Sequence, residues 1–332
     1  MRYNIIIVSL LFLLALTPTQ AQDKSIEVVA STTIIADIAQ NVGGDFINIT
    51  ALVPPDTDVH AFEPIPSDLR SIESADLILI NGAGLEAFLG GILSDVPAEK
   101  IITVSNGINV LAFNDPDKEY LGVLGQDVTC DDNLELYEDT QQDDENEDEH
   151  AHGSCDPHFW LDPMNVIQMT QNIADTFANF DPQHADTYQS NADTYIKQLK
   201  DLDGEIRDLL SSIPPEKRMI VTNHEFLAYF AHAYNFEIVA NVIPSVSTLA
   251  EPSPRELAAL ISTIEEKQIP AIFVEVSETG RLAQVVADET GNTVKIAELY
   301  SASLSKQNEP ASTYLDYMRF NAETILNALT AT

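Results

Sequence analysis

IEVVASTTIIADIAQNVGGDFINITALV, residues 26–53, decides the fold. Ile26 to Ser31 is a short, mostly β-branched apolar run and reads as a strand. Ile34 to Val42 carries apolar residues at helical spacing, and Phe46 to Val53 returns to a strand pattern. A strand, a helix and a second strand in close succession are the signature of an α/β fold with mainly parallel sheets.

The same alternation continues outward. The first half predicts further strands over 76–81 and 100–104, with helices over 67–74, where Ser67 is the expected cap, and over 86–93. The second half repeats the pattern, with strands over 218–222, 237–242, 271–276 and 293–297. Ser253-Pro254-Arg255-Glu256 is a capping box with proline at the first helical position, so a helix starts there. Asp162-Pro163 predicts another start, with Asp162 as cap. Residues 164–177 and 185–210 keep helical spacing without internal proline, and without glycine until Gly204. The second of these reads as a long helix joining two lobes, which transmits orientation instead of absorbing it. The expected organisation is a signal peptide over 1–21, an N-terminal lobe over 22–163, a helical connection over 164–212 and a C-terminal lobe over 213–332.

The leader reading rests on Arg2, the apolar run Ile5 to Leu16 and a small-residue cleavage site at Thr19-Gln20-Ala21. The run is shorter than the ~20 residues of a membrane span, so the mature chain is expected outside the cytoplasm, in a periplasm or at a cell surface. No cysteine stands near the cleavage site to carry a lipid. The formal net charge of -37 argues against nucleic acid and an anionic membrane as binding partners, since both would be repelled. It fits a cationic ligand, and equally well mere solubility.

The two cysteines, Cys130 and Cys155, are expected to pair in an oxidising compartment, with a thiolate metal ligand as the alternative. Between them lies a low-complexity stretch, Asp131 to His152, with eleven acidic residues up to Glu149 and no lysine or arginine. Its composition cannot offset its ordering entropy, so a disordered loop is expected. It could collect cations weakly or have no specific role.

His60, His158 and His224 stand where a strand or loop hands over to a predicted helix. His60 follows Pro54-Pro55 beyond a strand, and His224 follows Met219 to Thr222, with Asn223 as the expected cap of the next helix. That edge of an open α/β sheet is where ligands bind. His158 is flanked by Phe159 and Trp160, which could shield a site from water. Three neutral imidazoles suit a transition metal and resemble a zinc shell with one position left over. His184 and His232 lie in ordinary helical contexts and are left out. A catalytic zinc site is the rival reading, but HExxH and GxSxG motifs are absent, and no enzyme is expected.

Four strings carry a resemblance: DTDVHAFEPIPSDL (56–69), DPHFWLDP (156–163), STLAEPSPREL (247–257) and STYLDYMRFN (312–321). They resemble, in order, motifs of the metal-binding solute receptors of zinc and manganese ABC importers, the ZnuA-like or cluster A-I family, over residues from about 26 to 329. The resemblance implies two lobes joined by a rigid helix, a divalent metal ion in the cleft and delivery to an ABC permease in the membrane by a monomeric receptor. It implies His60 and His158 as metal ligands from the first lobe and His224 from the second. One position departs from the family: Ala302 stands where many members place a fourth, aspartate ligand. Water, Glu63 or a group of the acidic loop is left to fill that place. Zn2+ is the expected ion, with Mn2+ the alternative, because manganese favours oxygen-rich shells. An iron receptor of the same family and a metal-binding adhesin are further readings. Metal-bound imidazole must be neutral, so binding is expected to weaken as pH falls toward ~6.5 or below.

Overall fold

The computed structural model describes residues 25–113, 120–130, 155–243, 248, 251–277, 280–291 and 294–330. The leader and the acidic stretch, with the expectations placed on them, lie outside the described residues.

The opening βαβ unit forms as its sequence predicts, with β1 (Ile26–Ala30), α1 (Thr33–Gly43) and β2 (Ile47–Ala51). Thr32 caps α1 by accepting the Ile35 amide, and Gly44, at φ 57°, ends it in a conformation that a side chain would resist. After α2 (Pro66–Ser74) come β3 (Leu77–Ile80) and β4 (Ile101–Thr103), which complete a parallel sheet in the order β2-β1-β3-β4. A two-stranded antiparallel hairpin, β5 (Asn109–Leu111) and β6 (Tyr120–Val123), was not foreseen.

Asp162 caps α3 (Pro163–Phe180) as expected, and α4 (Ala185–Leu210) spans the predicted long helix. The buried stripe of α4 is Tyr188, Ala192, Tyr195, Leu199, Leu202, Ile206 and Leu210, steps of three and four that keep one face inward. The chain continues through β7 (Met219–Thr222), α5 (Ala228–Tyr234), β8 (Glu237–Asn241), α6 (Pro254–Lys267), β9 (Ala271–Glu275), α7 (Arg281–Glu289), β10 (Lys295–Leu299) and α8 (Tyr314–Thr330). Its parallel sheet has the order β8-β7-β9-β10, the same arrangement as the first.

Several expected boundaries move. Residues 86–93 lie in a 3-10 stretch, Leu85–Asp95, because Gly90 at φ 47° breaks the helical path. α2 begins at Pro66, with Ser67 inside the first turn; Asp68 receives the Ile65 amide in its place. The strand expected over 293–297 sits two residues later. Asn223 does not cap α5, which starts only at Ala228. The Asn223 amide instead donates to Phe273 O (2.8 Å), and its carbonyl accepts from the Ile243 amide (2.7 Å), so sheet-like pairing outlasts the strand and delays the helix.

One apolar core runs from the first sheet to the second. It includes Val28 and Ile34, Phe159 and Trp160, Leu199 on α4, Tyr229 on α5, and Tyr314 and Tyr317 on α8. α4 packs against α1, α3 and α8, so it lies alongside the junction over its whole length. Cys130 and Cys155 form a disulfide, as their compartment predicts. Among the described residues no helix is long and apolar enough to cross a membrane.

Candidate metal centre

Each sheet reverses the direction of its strand order beside its first strand, and at such a switch point the loops diverge and leave a crevice. His224 leaves the carboxyl end of β7 at this place in the second sheet. It is fully buried, and its Nδ1 lies 3.2 Å from Oε2 of Glu275, the last residue of the neighbouring strand β9.

His60 sits on the loop after β2. Buried Val59 anchors the loop, and Asp58 Oδ1 accepts the His60 amide at 2.8 Å. The other oxygen of Asp58 accepts the hydroxyl of Thr248 at 2.6 Å. Thr57 N donates to Ser303 Oγ, Asp56 N to Leu304 O and Lys306 Nζ to Asp56, so the loop is tied to the segment after β10 as well as to its own sheet.

His158 opens the turn that leads to α3. Asp156 Oδ1 accepts both its amide (2.9 Å) and its Nδ1–H (2.8 Å), which leaves Nε2 to face outward from the pair. The segment is held on both sides: Asn81 Nδ2 donates to Pro157 O, and the Tyr229 hydroxyl donates to Asp156 O. Trp160 stands 5.4 Å from the His158 ring, ring centre to ring centre, and shields it; Phe159 packs on Tyr229 instead.

The tertiary structure brings all three histidines together. Their ring centres are 5.5 Å (His60 to His158), 5.4 Å (His60 to His224) and 5.6 Å (His158 to His224) apart. One ring nitrogen from each lies within 4.8 Å of the others. The Nε2 atoms of His60 and His158 are buried and make no hydrogen bond among the described residues. A buried polar atom without a partner is costly, and a metal ion is one way to satisfy both at once.

Burial, reinforced by the neighbouring imidazoles of His224 and His158, pushes His60 down to about 3. Burial and the His224 ring likewise push His158 well below the usual histidine range. Both rings are therefore neutral at physiological pH, the state that binds metal. The proton competition expected near pH 6.5 is displaced downward, because a charged imidazole would be stranded away from water.

Glu63 is exposed and does not join the cluster, so of the candidates for a fourth position it is not one that this structure brings in. Ala302 is buried between two tethers: Ser301 O accepts from Trp160 Nε1, and Ser303 Oγ from the Thr57 amide. Its methyl group offers no donor. His184 pairs with Asp181 at 2.6 Å, and His232 meets Tyr120 at 3.2 Å, both outside the cluster. The sequence reading did not single out Asp156, Asp58 or Glu275. A signal for Glu275 was present: it is a carboxylate closing the apolar run Ala271 to Val274, where burial is expected.

Residues 28–328 match the family described as "ZnuA: Zinc-uptake complex component A periplasmic". The metal ABC transporter substrate-binding lipoprotein ScbA of Streptococcus cristatus is 33% identical over 312 residues, 94% of this chain and 91% of its own. The manganese-binding lipoprotein MntA of Halalkalibacterium halodurans is 28% identical over 314 residues, with the same shares of each chain. The periplasmic zinc binding protein TroA of Treponema pallidum superposes with a TM-score of 0.74 at 26% identity, covering 92% of this chain and 99% of that one.

Proposed function

The chain belongs to the ZnuA family of metal-receptor components of ABC importers, and from that premise we propose that it captures zinc through His60, His158 and His224 and hands it to a membrane permease. It works outside the cytoplasm, in keeping with a family described as periplasmic. The observation that carries the zinc reading is the donor set: three imidazoles within 4.8 Å of one another, those of His158 and His224 buried and that of His60 partly so, with no carboxylate in the cluster among the described residues. Neutral nitrogen donors in a small shell suit tetrahedral zinc, with water in the fourth position, whereas manganese favours more oxygen donors and higher coordination.

Manganese is the second reading, favoured by relatives named for it. Competition titration of the metal-free protein separates the two. Zinc is expected to displace manganese, and His60→Ala or His224→Ala to abolish tight zinc binding. Manganese binding as tight as zinc binding would sink the assignment.

Capture and release follow from where the ligands stand. His60 and His158 belong to the first lobe and His224 to the second, so a small displacement between lobes removes one ligand and weakens the site. The continuous core and α4 favour a tilt of this size over a wide hinge opening. The depressed basicity of His60 and His158 makes mild acid a poor trigger for release.

A further inference from the structure

We propose that Glu275 determines how strongly the three-histidine site holds a dication, acting through His224 as the counter-charge that Ala302 does not provide. The inference rests on the reading of His60, His158 and His224 as the metal ligands.

Glu275 ends β9, a strand buried at every position, and is itself 1% exposed. A carboxylate there is costly unless a positive group compensates it. Among the described residues its one ion-pair contact is the 3.2 Å approach to His224 Nδ1. Glu275 Oε2 and His224 Nδ1 do not meet as an aligned hydrogen bond, so the contact is mainly electrostatic. A neutral imidazole compensates a carboxylate only weakly. An imidazole bound to a dication through its other nitrogen carries a strongly polarised N–H and compensates it well.

The shell supplies the converse need. Three neutral ligands leave the ion's two positive charges unbalanced in a buried place, and Ala302 contributes nothing. Asp156 stands behind His158 in the same way, at 2.8 Å, although it also holds that residue's amide and so has a backbone role of its own. The Glu275 side chain makes no other hydrogen bond or ion pair among the described residues. That makes it the cleaner residue to test, and a positioning residue rather than a ligand.

Glu275→Gln preserves size and an acceptor oxygen while removing the charge. Zinc affinity, measured by competition with a chromophoric chelator, is expected to fall about 10- to 100-fold. The metal-free variant is expected to melt at or above the wild-type temperature, since an uncompensated buried charge has gone. Cobalt(II) soaked into the variant should keep the wild-type visible absorption band, which shows that the shell geometry survives. In a His224→Ala background the same change should have no further effect on residual zinc binding.

Wild-type zinc affinity in Glu275→Gln overturns the proposal. So does a metal-free melting temperature well below wild type, which would make Glu275 a residue of the fold. If the wild-type protein itself fails to bind zinc tightly, the failure belongs to the ligand assignment and not to Glu275.

Discussion

At His60 the decisive quantity is the free energy of placing a charge beside two other imidazoles in a buried cluster. That cost holds the ring neutral down to about pH 3, far below the unperturbed value of 6.5. The folded state then binds fewer protons than the unfolded state at intermediate pH. The stabilising contribution is complete above about 6.5 and is lost as pH falls from there toward about 3. Melting of the metal-free protein between pH 8 and 4 should show a decline that starts below about 6.5, and His60→Ala should make it shallower. Zinc affinity in the folded protein should by contrast change little between pH 7 and pH 5; a tenfold loss over that range would contradict the buried, neutral assignment. The same scale holds the selectivity question. Ala302 is bracketed by the tethers of Ser301 and Ser303 to the segments bearing His158 and His60. Ala302→Asp should therefore raise manganese affinity about tenfold, or ~1.4 kcal/mol, relative to zinc, in the competition titration.

Among the elements, the loop after β2 is tied to both halves of the chain. It carries His60, yet Asp58 bonds Thr248 and Asp56 bonds Lys306, both beyond the linker helix. Asp58→Ala removes the acceptor for the His60 amide and the Thr248 hydroxyl together. Zinc affinity should fall about tenfold, since a hydrogen bond to a charged group contributes ~1.5–3 kcal/mol and the loop retains its other ties. Isothermal titration of the variant measures the loss directly. The long helix α4 was legible from its periodicity because one face is buried along its whole length. The start of α5 was not, because a long-range bond from Asn223 to Phe273 overrides the local capping preference. The hairpin of β5 and β6 escaped the sequence reading for a related reason: Asn109 to Leu111 is too short to show a period.

Over the whole molecule, one core joins two sheets of the same strand order, and the disulfide fastens the segment bearing Asp156 and His158 beside it. Cys130 and Cys155 are 25 positions apart, a loop whose closure contributes about 3–4 kcal/mol in the chain-entropy model. A Cys130→Ser/Cys155→Ser protein should lose stability on this order in denaturant unfolding, and an unchanged midpoint would show that the bridge is incidental. Much of the plan was readable from the sequence: short β-branched apolar runs alternating with helical spacing, the caps at Asp162 and Ser253, and the three histidines in the segments between elements. These are local properties, carried by spacing and by side chains that act on their own backbone. The convergence of residues 60, 158 and 224 within 4.8 Å is of another kind, as are the burial that keeps His60 and His158 neutral and the carboxylates of Asp156 and Glu275 behind the cluster. They depend on contacts between residues distant in the chain, and only packing of the two sheets across a shared core brings those residues together.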